Sequence, residues 1–533
     1  MIRGGWRVAA AVLAMGSGLA LGDAVADEVR TGSGVVAGAA APDGAARAFL
    51  GIPFAAPPVG DLRWREPQPV AAWTGVRKAD AFGPRCMQGR VFDDMVFRDE
   101  PSEDCLYLNV WTPARTAAEK LPVMVWIYGG GFQAGSASEP RQDGGQLARK
   151  GVVVVSLNYR LCVFGFLAHP DLTRESGRGA SGNYGLMDQV AALRWVRDNV
   201  AGFGGDPGNV TIFGESAGSL SVSALVASPL ARGLFQRAIG ESGAYLGRLA
   251  LEPQTLAASE DGGAKFATSL GAASLADLRA KPAGDVLQAA LKFQPWFAPT
   301  IDGYVLPKDS NAIYAAGEQA RVPLLAGSNA DEVRAGVVLG KDRPTAKSFP
   351  EQLRTRYGAA ADALLKVYPA GSDEEALESA SALAGDTFLA YATWKWTDVH
   401  GRTAGVPVYR YSFDRKIPVA PDTKVEGKPA TAADVGARHA GEIEYVFGAL
   451  DSVPKVTWED ADRRLSDLMM TCWSNFARSG DPNGKGVPEW PRYDAKDGFA
   501  VMHLDVASAA RPDSLRKRYE TLDAVLAARP ATP

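Results

Sequence analysis

The feature that most constrains the fold of this chain is a series of apolar, strand-length runs, each of which breaks into a glycine-rich or polar loop. Val, Ile and Leu occupy consecutive positions in these runs, whereas a strand with one face in water alternates apolar and polar residues. The runs span residues 122–128, 152–159, 209–213, 322–326 and 406–413. Such runs, when they alternate with helices, predict a parallel sheet that is covered on both faces.

Helical patterns do separate these runs. Apolar residues recur near the helical period from Leu186 to Val200 and again from Leu465 to Ala477. The sequence therefore predicts an α/β protein with a large, mostly parallel central sheet and helices on both faces. Active sites in such sheets lie outside the carboxyl ends of the strands. The Ala- and Leu-rich region 252–299 predicts a helical insertion over that face.

The N-terminus has the pattern of a secretory signal peptide. Arg3 and Arg7 precede an apolar stretch over residues 8–21, and Ala24-Val25-Ala26 supplies a small-residue cleavage site. The stretch is too short for a stable membrane anchor, and no other apolar run approaches a membrane-spanning length. We expect a signal peptide over residues 1–26, cut after Ala26, and one mature domain over residues 27–533 that is secreted or periplasmic.

Charge and cysteine content exclude several classes of function. The formal net charge of -4 over 533 residues gives no basis for binding nucleic acid or an anionic membrane. The chain has four cysteines and contains neither Cys-x-x-Cys nor His-x-x-x-His, so no metal site is predicted. No cofactor is predicted either. Cys86 and Cys105 are the nearest pair, and an oxidising compartment would allow them to bond.

Ser216 is the candidate nucleophile, in the turn Gly214-Glu215-Ser216-Ala217-Gly218. The Gly-x-Ser-x-Gly pattern alone is common. Here a strand-like run leads into it and the apolar residues at 220, 222, 225 and 226 predict a helix leading out. That strand–turn–helix context is what a nucleophile elbow requires, because the sharp turn holds the serine hydroxyl clear of its own backbone.

A glycine-rich loop is the candidate oxyanion hole. The run ending at Tyr128 opens into Gly129-Gly130-Gly131-Phe132, where an unhindered backbone can approach a substrate. Ala217, which follows the nucleophile, can donate a second N–H group. Backbone donors of this kind stabilise the negative charge of a tetrahedral intermediate, and losing one typically costs about 10²- to 10³-fold in rate.

His439 is the candidate general base, chosen from four histidines. His169 precedes the serine, whereas the chain order in α/β-hydrolases is serine, acid, histidine. His400 lies before the 406–413 run, at the wrong edge of a parallel sheet, and His503 sits inside an apolar run as a packed strand residue. Only His439 follows a strand, in the long loop after residue 413. Its task would be to take the serine proton and return it to the leaving group.

The acid that orients the base remains open on sequence grounds. Asp331 and Glu332 follow the 322–326 run, and Asp414 follows the 406–413 run. Each lies after a strand and before residue 439, so position alone does not choose among them.

Five segments together resemble the type-B carboxylesterase family, which includes cholinesterases and para-nitrobenzyl esterases. The most specific is Ser102-Glu103-Asp104-Cys105-Leu106-Tyr107-Leu108-Asn109. The other four are 49–64, beginning Phe-Leu-Gly-Ile-Pro-Phe-Ala; 203–218, with Phe-Gly-Gly-Asp-Pro and the serine turn; 436–448, with Gly-Ala-Arg-His; and 476–483, Phe-Ala-Arg-Ser-Gly-Asp-Pro-Asn. The resemblance covers nearly the whole mature chain and implies an α/β-hydrolase fold.

The resemblance also implies roles for individual residues. It selects Glu332 as the acid and implies three oxyanion donors, Gly130, Gly131 and Ala217. It further implies a Cys86–Cys105 disulfide and an internal ion pair between Arg63 and Glu103. The activity it implies is that of a serine carboxylesterase, a carboxylic ester hydrolase that forms an acyl-enzyme on Ser216 and acts on a small-molecule ester.

Two departures from the family pattern narrow the expectation. Cys162 stands where the family usually has glycine, and we interpret it as a buried free thiol. The loop between Cys86 and Cys105 has no Trp, the residue that stacks on choline in cholinesterases, so a choline ester specialist is not expected. Trp296 and Phe297, at the end of the predicted insertion, are candidates for the pocket wall. The oligomeric state is not predicted.

Overall fold

A computed structural model describes residues 28–40, 46–92, 95–247, 252–336, 340, 342–425 and 427–528. The expected signal peptide over residues 1–26, with its cut after Ala26, lies outside the described residues. No helix in these ranges combines the length and apolar character needed to cross a membrane.

The central element is an eleven-stranded sheet. In chain order its strands are β1 Ala39–Ala40, β2 Arg47–Pro53, β3 Tyr107–Thr112, β4 Leu121–Ile127, β5 Val153–Leu157, β6 Gly205–Glu215, β7 Arg237–Glu241, β8 Leu324–Asn329, β9 Val408–Phe413, β10 Ala500–Leu504 and β11 Ala509–Pro512. Across the sheet they lie in the order β11-β10-β9-β8-β7-β6-β4-β5-β3-β2-β1. The five runs predicted from the sequence are β4, β5, β6, β8 and β9.

The strands from β5 to β10 pair in parallel, through β4, β6, β7, β8 and β9. The edges are antiparallel: β1, β2 and β3 on one side and β11 on the other. Every residue of β5 and of β8 is buried, as expected for parallel strands covered on both faces. The predicted mostly parallel sheet is confirmed, and the antiparallel edges are an addition to it.

Helices cover both faces of the sheet. The longer ones are α1 Tyr184–Asn199, α2 Ala217–Ala227, α3 Leu256–Ser269, α4 Ser348–Tyr357, α5 Asp373–Gly385, α6 Tyr391–Ala404, α7 Asp460–Ser479 and α8 Arg516–Ala527. Shorter α-helices span Gly145–Ala148, Cys162–Phe166, Pro170–Glu175, Leu275–Ala280, Ala283–Ala290, Ser310–Ala315, Ala361–Leu364, Ala432–Val435 and Ile443–Phe447. Single 3₁₀ turns span Gly60–Leu62, Ala117–Glu119, Pro140–Gln142, Val200–Phe203, Pro229–Ala231, Gly358–Ala360 and Leu450–Ser452.

A π-helical segment, Asp386–Ala390, joins α5 to α6 without a break in the helix. Such segments widen the helix by one residue per turn and are frequent at functional sites. This segment carries Phe388 toward the carboxyl edge of the sheet, where its ring meets His439.

The predicted helical insertion is present between β7 and β8. It consists of α3 and the two short helices Leu275–Ala280 and Ala283–Ala290. A short parallel strand pair, Gln254–Thr255 with Thr300–Ile301, joins its beginning to its end. Residues 293–299 then line the cavity above the sheet edge.

Small sheets complete the fold. One has three strands, Glu28–Arg30, Val35–Ala37 and Val76–Lys78. Two further strand pairs are Arg85–Cys86 with Pro101–Ser102 and Lys424–Val425 with Lys428–Pro429.

Candidate active site

Ser216 sits in a sharp turn between β6 and α2. Its φ is 55°, a left-handed conformation that a residue with a side chain rarely adopts. Its N–H group donates to the carbonyl oxygen of Glu241 on the neighbouring strand at 2.9 Å. A Cβ at Gly218 would collide with the carbonyl oxygen of Ile127. The turn therefore needs glycine where it doubles back on β4, and it leaves the serine side chain at the head of a helix.

His439 and Glu332 extend a hydrogen-bonded chain from this serine. His439 Nε2 lies 3.0 Å from Ser216 Oγ, and His439 Nδ1 lies 2.6 Å from Glu332 Oε2. The second Glu332 oxygen accepts the Asn329 N–H group at 2.9 Å, which fixes the carboxylate. The serine is thus within hydrogen-bonding distance of a base whose far nitrogen meets a buried acid, the relation that nucleophilic catalysis needs.

The other two candidate acids are engaged elsewhere. Asp331 accepts the Ala437 N–H group at 2.9 Å and so holds the start of the histidine loop. Asp414 lies 2.6 Å from His503 Nδ1 and also accepts the Ser412 hydroxyl. Of the three candidate acids, Asp331, Glu332 and Asp414, only Glu332 contacts His439 in the structure.

The remaining histidines lie away from Ser216. His400 is buried at the amino edge of the sheet, with Nε2 2.9 Å from the Val322 carbonyl oxygen. Burial lowers the pKa of His400 to about 4, although the hydrogen bond to Val322 opposes the shift. His169 caps the helix Pro170–Glu175 by accepting the Asp171 N–H group. His503 lies in β10, as expected, but its contact with the Asp414 carboxylate was not expected from the apolar run around it.

Glu215 is a neighbour of the base that the sequence did not reveal. It is 2% exposed, and its Oε1 lies 3.2 Å from His439 Nε2. Burial raises the pKa of Glu215 to about 8. Burial lowers the pKa of His439, but the charges of Glu215 and Glu332 outweigh that effect and raise it to about 9. The second position of a Gly-x-Ser-x-Gly turn is open to any residue, so no pattern signalled this carboxylate.

The glycine loop runs directly beside the nucleophile. A Cβ at Gly129 would lie 3.0 Å from the Ser216 Cβ. Gly130 has φ 101°, Gly131 φ 62° and Phe132 φ 61°, so three successive residues take left-handed conformations. The Gly130 carbonyl turns inward and accepts the N–H groups of Gln133 and Ala134. The loop therefore lies close to Ser216 and to Ala217, where α2 begins.

Comparison with known proteins identifies the architecture. The model of the carboxylesterase family matches residues 25–521. The chain belongs to the carboxylesterase family. It is 39% identical over 507 residues to the fumonisin B1 esterase of Sphingopyxis macrogoltabida, with 90% of this chain and 86% of that one covered. It is also 39% identical to carboxylesterase 1E of Mus musculus, with 87% of each chain covered. The family and its named members identify the protein as a serine carboxylester hydrolase.

Solved structures agree with this assignment. A thermophilic PNB esterase matches with a TM-score of 0.77 and 34% identity, covering 93% of this chain and 100% of that one. A carboxylesterase of Geobacillus stearothermophilus matches with a TM-score of 0.78 and 33% identity, covering 93% and 99%. The fold is therefore that of the α/β-hydrolase carboxylesterases.

The cavity of this carboxylesterase opens above Ser216 and has a volume of about 500 Å³. Its walls come from the glycine loop, the loop closed by Cys86 and Cys105, the insertion, the π-helical segment and the histidine loop. Eight aromatic side chains line it: Phe92, Phe132, Phe166, Tyr245, Phe293, Trp296, Phe297 and Phe388. Trp296 and Phe297 thus lie in the wall where the sequence placed them, Trp296 half exposed at the rim and Phe297 buried.

The charged groups of the cavity are few. Among the described residues, the Asp, Glu, Lys, Arg and His side chains that line it are Arg141, Glu215, Glu252 and His439. Arg141 lies 2.8 Å from the buried carboxylate of Glu139, so its charge is compensated within the protein. Among the described residues, no cluster of three or more His, Cys, Asp and Glu side chains could hold a metal ion.

A disulfide joins Cys86 to Cys105 and closes the loop that carries Phe92. Beside it, Arg63 and Glu103 form a bidentate ion pair with both distances at 2.6 Å. Cys162 and Cys472 are both free and buried. Burial raises the pKa of Cys162 to about 11. The interpretation of Cys162 as a buried free thiol therefore agrees with the structure.

Proposed function

We propose that Ser216, His439 and Glu332 are the catalytic triad of this esterase and that Gly130, Gly131 and Ala217 donate to the oxyanion. The observation that carries the proposal is the unbroken chain of hydrogen-bonding contacts, 3.0 Å from Ser216 to His439 and 2.6 Å from His439 to Glu332. The same order of roles operates in serine hydrolases of unrelated folds.

The proposed reaction has two halves. In the first, His439 takes the Ser216 proton while Oγ attacks the ester carbonyl carbon, and the negative charge moves to the carbonyl oxygen beside the glycine loop. Collapse of this intermediate breaks the bond to the alcohol, which leaves with the proton held by His439. In the second half, water attacks the acyl carbon and gives a proton to His439. The bond from that carbon to Ser216 Oγ then breaks, the carboxylic acid departs, and His439 returns the proton to Oγ.

The cavity supports a substrate class as well. Its aromatic walls offer large, rigid apolar surface, and its volume of about 500 Å³ limits the bound ester to a small molecule. We propose aryl esters and esters of short acyl chains as preferred substrates. The structural similarity to PNB esterases is in keeping with an aromatic alcohol.

The test of the triad uses p-nitrophenyl esters and a matched pair of histidines. Ser216→Ala and His439→Ala should each lower kcat by about 10⁴-fold or more, on the scale of triad removals in other serine hydrolases. His503 provides the control, because it also lies 2.6 Å from a carboxylate but does not contact Ser216. His503→Ala should keep most of the wild-type rate. Full activity of Ser216→Ala, or an equal loss at both histidines, would contradict the proposal.

Substitutions at Glu332 and at its neighbour Asp331 test which carboxylate acts as the acid. Glu332→Gln keeps the shape of the side chain but removes the charge that stabilises protonated His439, and kcat should fall by about 10³- to 10⁴-fold. Asp331→Asn keeps an acceptor for the Ala437 N–H group and should change kcat only slightly. Equal losses for the two variants would mean that Glu332 is not the acid.

We further propose that the mature protein is a single domain over residues 27–533, exported after cleavage behind Ala26. The disulfide between Cys86 and Cys105 supports this location, because such bonds persist in oxidising compartments. N-terminal sequencing of the protein recovered from periplasm or medium tests it. A sequence beginning at Asp27 is expected, and an uncleaved cytoplasmic product would contradict the proposal.

A further inference from the structure

Gln133 makes a connection that the triad does not explain. It lies two residues beyond Gly131 and is 3% exposed. Its side-chain Nε2 donates to the carbonyl oxygen of Phe297 at 2.7 Å, across 164 residues of sequence. The same nitrogen lies 3.4 Å from the Gly131 carbonyl oxygen. A buried side-chain amide thus joins the glycine loop to the wall of the cavity.

The glycine loop, on one side of this contact, has a strained backbone conformation. Gly130, Gly131 and Phe132 all have positive φ values. The Phe132 carbonyl accepts the Cys162 N–H group at 2.7 Å. The Phe132 ring packs edge-on against Phe166 and stacks on Tyr245, with centroids 5.2 and 6.2 Å apart. Strained backbone conformations persist only where surrounding contacts hold them. Gln133 supplies one such contact, because its side-chain Nε2 lies next to the Gly131 carbonyl oxygen.

The wall on the other side is well fixed. Phe297 is buried, and its ring packs against Phe266 and Phe293 with centroids 5.1 and 5.7 Å apart. Three residues later, the Thr300 N–H group donates to Asn183 Oδ1 at 2.9 Å, and Asn183 Nδ2 donates to the Thr300 carbonyl oxygen at 2.7 Å. The Phe297 carbonyl is therefore an acceptor on a well-packed segment, and the glycine loop is hydrogen-bonded to it.

We propose that Gln133 is a positioning residue that couples the oxyanion loop to the aromatic wall of the cavity. The inference rests on the proposed role of Gly130 and Gly131 as oxyanion donors. Oxyanion donors stabilise the transition state only if their N–H groups already point at the developing negative charge. A hydrogen bond that holds the glycine loop in place should therefore lower the energy of the transition state more than that of the bound ester. The coupling also means that the wall formed by residues 293–299 and the oxyanion hole cannot move independently.

The test compares two variants that loosen the same wall from different sides. Gln133→Met keeps the length of the side chain and removes the N–H donor. Thr300→Val removes the hydroxyl that donates to Ser259 at 2.9 Å and leaves the glycine loop untouched. Both are assayed for kcat and KM on acetate and butyrate p-nitrophenyl esters, and for inhibition by a trifluoromethyl ketone. That ketone forms a tetrahedral adduct on the serine and so reports on the oxyanion donors directly.

For Gln133→Met we expect kcat to fall about 10-fold on both esters, less than the 10²- to 10³-fold lost when a donor itself is removed. The inhibition constant of the ketone should rise by a similar factor while KM stays close to wild type. Thr300→Val should change neither kcat nor ketone binding in this way. If Gln133→Met does not fold, Gln133→Asn, whose amide is too short to reach Phe297, is measured in its place.

Wild-type kcat and ketone affinity in the Gln133 variant would overturn the inference. A change in KM alone in both variants would also overturn it, because that result would mean that the wall contacts substrate but does not position the glycine loop. The variant Ser216→Ala distinguishes failure of this inference from failure of the proposed triad. If Ser216→Ala is inactive while the Gln133 variant equals wild type, the triad stands and only the coupling fails.

Discussion

At the scale of single residues, the unusual feature of the site is that His439 lies between two buried carboxylates. Glu332 meets Nδ1 at 2.6 Å, and Glu215 lies 3.2 Å from Nε2, the nitrogen that faces Ser216. A base is useful only in its neutral form, and both carboxylates favour the charged imidazolium. In the proposed mechanism both carboxylates would stabilise His439 after it takes the serine proton. For the same reason, the resting imidazole loses its proton only at higher pH.

The charge of Glu215 should be visible in the pH profile. Its carboxylate raises the pKa of His439, which is about 9, so removing the charge lowers that pKa. In Glu215→Gln the rising limb of kcat/KM should move to lower pH, because neutral His439 becomes available earlier. The measurement is the pH dependence of kcat/KM on a p-nitrophenyl ester. Asp414→Asn, which faces His503, should leave the limb in place, and an alkaline shift in Glu215→Gln would refute the assignment.

The choice between Asp331 and Glu332 shows where residue-level prediction stops. The two acids are adjacent in sequence and both follow β8, so position predicts their edge of the sheet and nothing finer. Adjacent side chains in extended chain point in opposite directions. One reaches the Ala437 N–H group and the other reaches His439. Only the family resemblance selected Glu332 before the backbone direction was known.

At the scale of elements, the sequence predicted five of the buried parallel strands and missed β7, a short buried strand, together with the antiparallel edges. β5 and β8 are buried along their whole length and appear as continuous apolar runs. By contrast, β11 is half buried or exposed and contains Arg511 and Pro512, so its sequence does not stand out from a loop. The strands whose carboxyl ends carry the site were thus the predictable ones, because burial on both faces leaves the strongest pattern.

The π-helical segment was not predictable in this way, since its extra residue per turn depends on tertiary contacts. It brings the Phe388 ring within 5.1 Å of the His439 ring, edge to face. This contact keeps one side of the imidazole out of water and limits its rotation. The element that connects α5 to α6 is therefore part of the wall of the site.

Phe388→Ala should lower kcat/KM by about 2- to 10-fold, which corresponds to the 0.5–1.5 kcal/mol typical of an aromatic pair. The effect should fall on kcat, because the loosened imidazole spends less time against Ser216. Phe92→Ala, at the rim of the same cavity, should act mainly through KM. Steady-state kinetics on one aryl ester separates the two. A pure KM effect in Phe388→Ala would show that the ring contacts substrate rather than supporting the base.

At the scale of the whole molecule, the disulfide ties a cavity wall to the sheet. Cys86 and Cys105 are 19 positions apart in sequence, and the loop between them carries Phe92 over Gly131. The Arg63–Glu103 pair stands beside it, and Arg63 also donates to the carbonyl oxygens of Arg279 and Lys281 in the insertion. The disulfide-closed loop and the insertion are therefore anchored through the same arginine.

Replacing both Cys86 and Cys105 by serine should lower the free energy of unfolding by about 3 kcal/mol, the loss typical of a loop of this length. Denaturant unfolding under oxidising conditions measures it. A thiol reductant should destabilise the wild type by a similar amount and have no effect on the double variant, since Cys162 and Cys472 are already free. Equal sensitivity of both proteins to reductant would contradict the role given to this bond.

The short strand pair between Gln254–Thr255 and Thr300–Ile301 has a consequence for the insertion that it closes. Because the two ends of the insertion are already held together, the entropy of closing that loop changes little with its length, by about 0.6 kcal/mol for each doubling. Changes in the length of the chain between these ends therefore add little to the entropy of loop closure. What restrains the insertion is its packing, since Phe266, Leu278 and Val286 are buried in the core. The region that shapes the substrate cavity is thus restrained by side-chain contacts rather than by chain length.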